Sequence, residues 1–402
     1  GAGFLCFTIA LVKRLPHKPW KTAIVHALGG MFLLIALAAG GLYVYHYHHG
    51  LQTRNEYIAV FNRYAGERHA NIPTHVLTVT PGSRQLEGES RMKVENRHAD
   101  ALEHIILYLN PALQVTEVRY NGETIHFHRE HQAILIEKEL PAKGKAEITI
   151  RYRGGIDERI CYADVPEKEW LDNTTPQKLD PLGKHYMWLE EKFTLLTPEC
   201  LWYPVSIPPV HPAAPYNLQK DFTHYALTVN YDGEKTVLSQ GESERQNGKT
   251  IFTNRTPLPC ISLTIADYER KALTVDSTEY EILYFKGHDF FSSTFQALRD
   301  TLPGFLREFK NDIEREQRRD YPFRKFVMAE TPIQHHAYVR NWKGYTEYVM
   351  PGILFFPERG VLMNFDLGAS KRRSQRMGGR RGEESMDEEE ALRMSLHHLL
   401  SS

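Results

Sequence analysis

The chain has 402 residues, enough for two or three domains, and its 42% apolar and 25% charged residues are the proportions of an ordinary globular protein. A formal net charge of −1 leaves no basic field to attract nucleic acid. The four cysteines, Cys6, Cys161, Cys200 and Cys260, form no C-x-x-C pair, which excludes a cysteine-rich zinc site and leaves open a disulfide between two of the last three.

Residues 1–12 are apolar but too short to span a bilayer, and read as the end of a preceding transmembrane helix. Residues 13–22 form a basic loop with Lys13, Arg14, His17, Lys18 and Lys21. Residues 23–45 read as a transmembrane helix: Ala23–Tyr43 has His26 as its only clearly polar side chain. At about 1.5 Å per residue this stretch crosses a hydrocarbon core of about 30 Å. The bias of basic residues toward the cytoplasm places the loop there and puts the chain after about residue 46 outside. A signal peptide cleaved near Ala36-Leu37-Ala38 is the rival reading, and the apolar stretch upstream argues against it. A buried helix of a soluble protein is the third.

Residues 46–70 predict a juxtamembrane helix, since Tyr57, Ile58, Phe61 and Tyr64 share one face. From His75 the period changes to two, and residues 71–285 read as a β-rich domain. Strand-like runs cover Val76–Val79, Ile105–Leu109, Leu113–Tyr120, Ala133–Leu140 and Glu147–Tyr152. Asn121-Gly122 predicts a hairpin turn, because both residues accept positive φ. Residues 164–183 read as a loop, and five prolines between 204 and 215 exclude a central strand there. Further strands are expected at 192–196, 223–229, 235–240, 250–254, 261–265 and 280–285.

Residues 286–402 begin a second domain. Phe291, Phe295, Leu298, Leu302, Phe305 and Phe309 line one helical face, with Pro303 allowing a break. Residues 371–390 segregate charge, Lys371 to Arg381 basic and Glu383 to Glu390 acidic, and read as a solvated loop. Ser385 and Glu388 then fit a capping box for a helix bearing Leu392, Leu396, Leu399 and Leu400. The adjacent histidines (His46, His48, His49; His126, His128, His131; His335, His336) lack a carboxylate at helical spacing and read as exposed polar residues.

The strand region 75–152 with its closing RYRGGID, the block LWYPV, the run DFTHYALTV…TVLSQGE and the segment YPFRKFVMAETP together resemble the aminopeptidase N family of gluzincin zinc peptidases. More closely, the chain is similar to bacterial membrane proteins that fuse an ABC-transporter-type permease to an extracytoplasmic aminopeptidase-like part. The resemblance covers roughly residues 50–400. It implies an α+β chain: a transmembrane helix, an antiparallel β-saddle or sandwich domain, and the start of a thermolysin-like α/β domain. It also implies a bacterial inner or plasma membrane, zinc in an active family member, and a separate ATPase subunit for a transport role, because the chain has no P-loop.

Zinc chemistry of that kind needs two His one helical turn apart, a Glu between them for the attacking water, and a third ligand further on. No H-E-x-x-H occurs in the sequence. The best register puts His397 at the first ligand, His398 at the general base and Ser401 at the second ligand, so no catalytic residue and no metal site is assigned. The third ligand would fall beyond Ser402. The family's amino-binding segment aligns with Tyr338, Arg340 and Asn341, where Arg340 replaces a Glu and repels a peptide's ammonium. Trp202, Tyr203, Tyr338, Trp342, Tyr345 and Tyr348 read as a peptide groove or, more plainly, as packing under a sheet. No G-x-S-x-G or G-x-G-x-x-G is present, and Glu190-Glu191 reads as solvated charge. The expected function is therefore binding or assembly, with the bilayer and a peptide as partners. The alternatives are a piece of an active zinc aminopeptidase and a permease component.

Overall fold

A computed structural model describes residues 2–11, 19–165, 185–210, 221–289, 300–335 and 348–358. The chain divides into two units, Gly1–Glu56 and Tyr57–Ser402. The first holds α1 (Ala2–Leu11) and most of α2 (Pro19–Tyr64). At Gly3 an added Cβ would lie 3.3 Å from the Gly29 carbonyl oxygen, so the small residue is what lets the two helices approach. The sequence separated a span at 23–45 from a second helix at 46–70; one helix runs through both. No proline follows Pro19 within it, and Gly50 alone costs too little to break it. Among the described residues this is one helix long and apolar enough to cross a membrane.

The second unit opens with β1 (Asn71–Pro81), β2 (Leu86–Glu95), β3 (Ile105–Tyr108), β4 (Leu113–Tyr120), β5 (Glu123–Thr124), β6 (His128–Glu130), β7 (Ala133–Ile136) and β8 (Lys145–Gly154). Then come β9 (Trp188–Leu189), β10 (Thr194–Leu196), β11 (His224–Asn230), β12 (Thr236–Leu238), β13 (Glu242–Gln246), β14 (Lys249–Thr253) and β15 (Leu263–Ala266). Eight strands form one sheet in the order β13-β14-β11-β1-β2-β8-β4-β5, antiparallel except where β1 pairs β11. Alternate residues turn inward, Leu77 and Val79 from β1, Met92 and Val94 from β2, Ile148 and Ile150 from β8, and pack with the sheets β12-β15-β10-β9 and β3-β7-β6 into one core. The Asn121-Gly122 turn closes β4 and β5 with φ of 50° and 88°, as the dipeptide predicts.

β2 was missed because two of its inward positions are small. Gly88 faces Tyr152 across the ladder, and a Cβ there would stand 2.2 Å from the ring; Ser90 carries a buried polar contact. Trp202 and Tyr203 are fully buried in this core, so they are packing residues and line no groove.

β16 (Tyr268–Val275), β17 (Thr278–Phe285), β18 (Lys325–Thr331), β19 (Tyr348–Met350) and β20 (Ile353–Pro357) make a five-stranded sheet, β16-β17-β18-β20-β19. β17, β18 and β20 run parallel. This sheet begins at Tyr268, so the boundary drawn at residue 285 falls inside it; β16 and β17 belong to the second layer. α3 (Leu302–Gln317) lays Phe305 and Leu306 into the cluster of Val275, Met328, Leu354 and Phe356. Pro303 opens this helix instead of breaking one, its fixed φ and missing N–H costing nothing in the first turn. Phe291, Phe295 and Leu298, the 371–390 tract and the helix expected after Ser385 lie outside the described residues.

Candidate functional site

In open sheets with parallel strands, the crevice beyond the carboxyl ends is where ligands bind. Here β17, β18 and β20 end side by side at Phe285, Thr331 and Pro357, and each end carries a titratable group. Glu330 sits at the end of β18, His288 three residues past β17, and Glu358 directly after β20.

Glu330 is the centre. Its side chain is 2% exposed. One carboxylate oxygen accepts the Phe285 N–H at 2.7 Å, and the other pairs with His288 Nδ1 at 2.9 Å. Burial raises its pKa, against the pull of those two hydrogen bonds. The Tyr268 hydroxyl donates to the Glu330 carbonyl at 2.5 Å, so the strand is pinned as well as the side chain. Glu358 lies 4.0 Å from His288 through one oxygen and accepts the Ile333 N–H at 3.2 Å through the other. Its own N–H donates to the Thr331 carbonyl at 2.8 Å.

The turn 332–335 is thus held from one side by Glu358. From the other side it is held by the segment before β9. The His185 N–H donates to the Gln334 carbonyl at 2.9 Å, and His185 bridges His335. Glu158 fixes His185 in turn, at 2.9 Å from its Nδ1, while its second oxygen accepts the Tyr186 N–H at 3.1 Å. Trp188 stands between the two histidines, its ring 5.8 Å from His185 and 5.6 Å from His335. Beside this clamp opens a cleft of about 300 Å³ lined by Arg84, Ile156, Glu158, His185, Trp188 and Glu190. Arg84 holds its turn at φ 59°, tied by its N–H to the Leu189 carbonyl at 2.8 Å.

The residues singled out from sequence, Tyr338, Arg340 and Asn341, fall between β18 and β19, and His397 falls after β20; all four lie outside the described residues. Glu330, His288, Glu358, His185 and Trp188 were not singled out. A signal for two of them was present: Glu330 and Glu358 each follow an apolar run, FVMA and ILFFP, that reads as a buried strand. An acid at that position has to be partnered or mark a site.

The group can pass a proton between a buried acid and a partly exposed imidazole. It does not make a zinc site: among the described residues no three His, Cys, Asp or Glu are placed to share a metal.

No family model matches the chain, and no curated protein matches it. Solved structures do. An M1 zinc metallopeptidase from Deinococcus radiodurans, bound to a Tyr-Ser-Ala substrate, superposes with a TM-score of 0.52 at 16% identity, covering 75% of this chain and 64% of that one. The fold is that of the M1 zinc metallopeptidases. A two-domain M1 zinc metallopeptidase bound to L-tryptophan agrees, with a TM-score of 0.53 at 15% identity and the same coverage. The chain therefore spans just under two thirds of the length of the M1 peptidases it matches. The M1 likeness bears out the α+β architecture expected from sequence, an apolar helix ahead of mostly sheet domains.

Proposed function

We propose that this chain is a membrane-anchored, aminopeptidase-like domain with a degenerate zinc site, and that it binds a peptide or serves assembly in a transport-related membrane protein. The observation that carries this reading is the run His397-His398-Leu399-Leu400-Ser401 in a sequence without H-E-x-x-H. Arg340 adds to it, since a cation at the amino-binding position opposes a peptide N-terminus. The length and apolarity of α2 support the anchor. The basic residues 13–21 support a cytoplasmic loop with the M1-like part on the outer, periplasmic side of a bacterial membrane. The transport setting rests on the resemblance alone.

A second reading is favoured by the fold: the M1 neighbours are zinc peptidases, and a zinc motif elsewhere in the intact protein would make the chain part of an active aminopeptidase. Metal content of the intact protein, measured beside hydrolysis of aminoacyl reporter substrates, separates the two. A folded sample with neither zinc nor cleavage is expected. Stoichiometric zinc with chelator-sensitive cleavage would overturn the degenerate-site reading.

A further inference from the structure

One end of the apolar stretch of α2 carries the sequence Tyr43-Val44-Tyr45-His46-Tyr47-His48-His49, three tyrosines and three histidines in seven positions. All seven residues are exposed. Tyr43 is 68% and Tyr45 64% exposed.

The arrangement around the axis identifies the partner. At about 100° per residue, and with His46 taken as zero, Tyr43 lies near 60°, Tyr47 near 100°, His48 near 200°, Tyr45 near 260° and His49 near 300°. The six rings encircle the helix, with no gap wider than about 100°. A protein partner would select one face. A ring on every face fits a surround that is the same in all directions, which is the headgroup layer of a bilayer. The axial spacing agrees. Trp20, 58% exposed, marks the other end. The 23 steps from it to Tyr43 rise about 35 Å, slightly more than a hydrocarbon core of about 30 Å. The Tyr43–His49 band is itself about 9 Å deep, close to the interfacial layer in which amphipathic rings settle.

Tyrosine alone would make an ordinary interfacial belt. Three imidazoles among the tyrosines change its chemistry, because imidazole gains a charge in the mildly acidic range. Tyr45 and His49 stack at 6.1 Å and 8° between planes, and Tyr45–His46 and Tyr47–His48 meet edge to face, so the rings are interleaved. The Thr53 hydroxyl bonds the His49 carbonyl, continuing the helix past the ring. The nearest charged groups along α2 are Arg54 and Glu56, the latter held by Gln52 at 3.3 Å. α1 approaches α2 around Gly29 and Phe32, well before the ring, and adds no charge to it.

We propose that the Tyr43–His49 ring is a proton-sensitive contact for anionic phospholipid headgroups: on acidification it gathers them around α2, and otherwise it is a plain aromatic belt. This rests on α2 being a membrane anchor. The test uses the full chain in bilayers of phosphatidylcholine with about 30 mol% phosphatidylglycerol. The quantity read is the partition of spin-labelled phosphatidylglycerol against spin-labelled phosphatidylcholine at the protein surface, near pH 5.5 and near pH 7.5. The expected result is a preference for phosphatidylglycerol that rises about threefold or more on acidification and is flat in the H46Q/H48Q/H49Q variant. An equal preference at both pH values, in a chain that resists carbonate extraction, would overturn the ring and leave the anchor. A pH effect retained by the triple variant would assign it to other groups and overturn the ring equally. Release of the chain by carbonate would overturn the anchor, and the ring with it.

Discussion

Two clusters of buried titratable groups sit in the two layers of the M1-like unit, and they differ in what surrounds them. In the eight-stranded sheet His75 is fully buried, bonded to the Ser90 hydroxyl at 2.5 Å, with the rings of Tyr203 and Tyr225 at 5.7 and 5.6 Å. Burial lowers its pKa to about 3. The same burial pushes the Tyr203 and Tyr225 phenols up. Every group there is driven toward its neutral form, and none reaches solvent. At the carboxyl ends of β17, β18 and β20 the buried acid Glu330 is instead bonded to His288, which lies 4.0 Å from Glu358, and His288 and Glu358 are each about one third exposed. A buried group becomes usable when its partner opens to water. The first cluster is a core that happens to contain polar atoms; the second has the connectivity of a site.

The largest expected effect tests the silent cluster. His75 has a folded pKa of about 3 against the usual 6.5, so the folded state takes up its proton later than the unfolded chain does. Its contribution is intact above about pH 6.5 and is lost as pH falls toward 3, worth roughly 4 kcal/mol across that window. His75→Phe removes the titration, and urea unfolding from pH 7 to pH 4 should then show a shallower acid loss than wild type. Equal slopes would mean that His75 is solvated and that the two clusters are alike.

The next effect is smaller and of opposite sign. Burial raises the Glu330 pKa, so the folded state holds the proton more tightly than the unfolded chain. That contribution is present below the ordinary carboxylate range and is lost as pH rises through the folded value. Glu330→Gln, which cannot ionise, should gain on wild type as pH rises from about 4 to 7 in the same denaturation series. A constant gap would mean that the His288 and Phe285 bonds cancel the burial, and the contrast with His75 would shrink to one of degree.

Tyr268→Phe sharpens the second cluster without touching a charge. It removes the hydroxyl that holds the Glu330 carbonyl at 2.5 Å, a loss of about 1–2 kcal/mol for a buried bond, with no pH dependence of its own. If the Glu330 slope flattens in this variant, the strand end and the titration are coupled.

Much of the first layer was legible because its strands alternate. Leu113–Tyr120 was read with the bounds it has, and Asn121-Gly122 with the turn it makes. β2 was lost where Gly88 and Ser90 replace apolar inward residues, and β13 because all five of its residues are exposed. The site was less legible for a physical reason. Glu330, His288 and Glu358 lie on three separate strand ends, 42 and 28 positions apart in the chain, and parallel pairing alone brings them together. Composition and spacing register local patterns, and a parallel sheet makes its sites from distant ones.

The smallest effect provides the scale against which the others are read. Asn121 holds φ 50° at the β4–β5 turn, and its side-chain oxygen accepts the Glu147 N–H at 2.8 Å. Asn121→Ala keeps the turn but loses the bond and pays the left-handed strain, about 1 kcal/mol in all. The loss should be the same at pH 4 and pH 7, because no titratable side chain takes part. A pH-dependent loss at Asn121 would show that the slopes at His75 and Glu330 report the whole sheet unfolding with charge, and the distinction between a silent core and a usable site would have to be drawn by exposure alone.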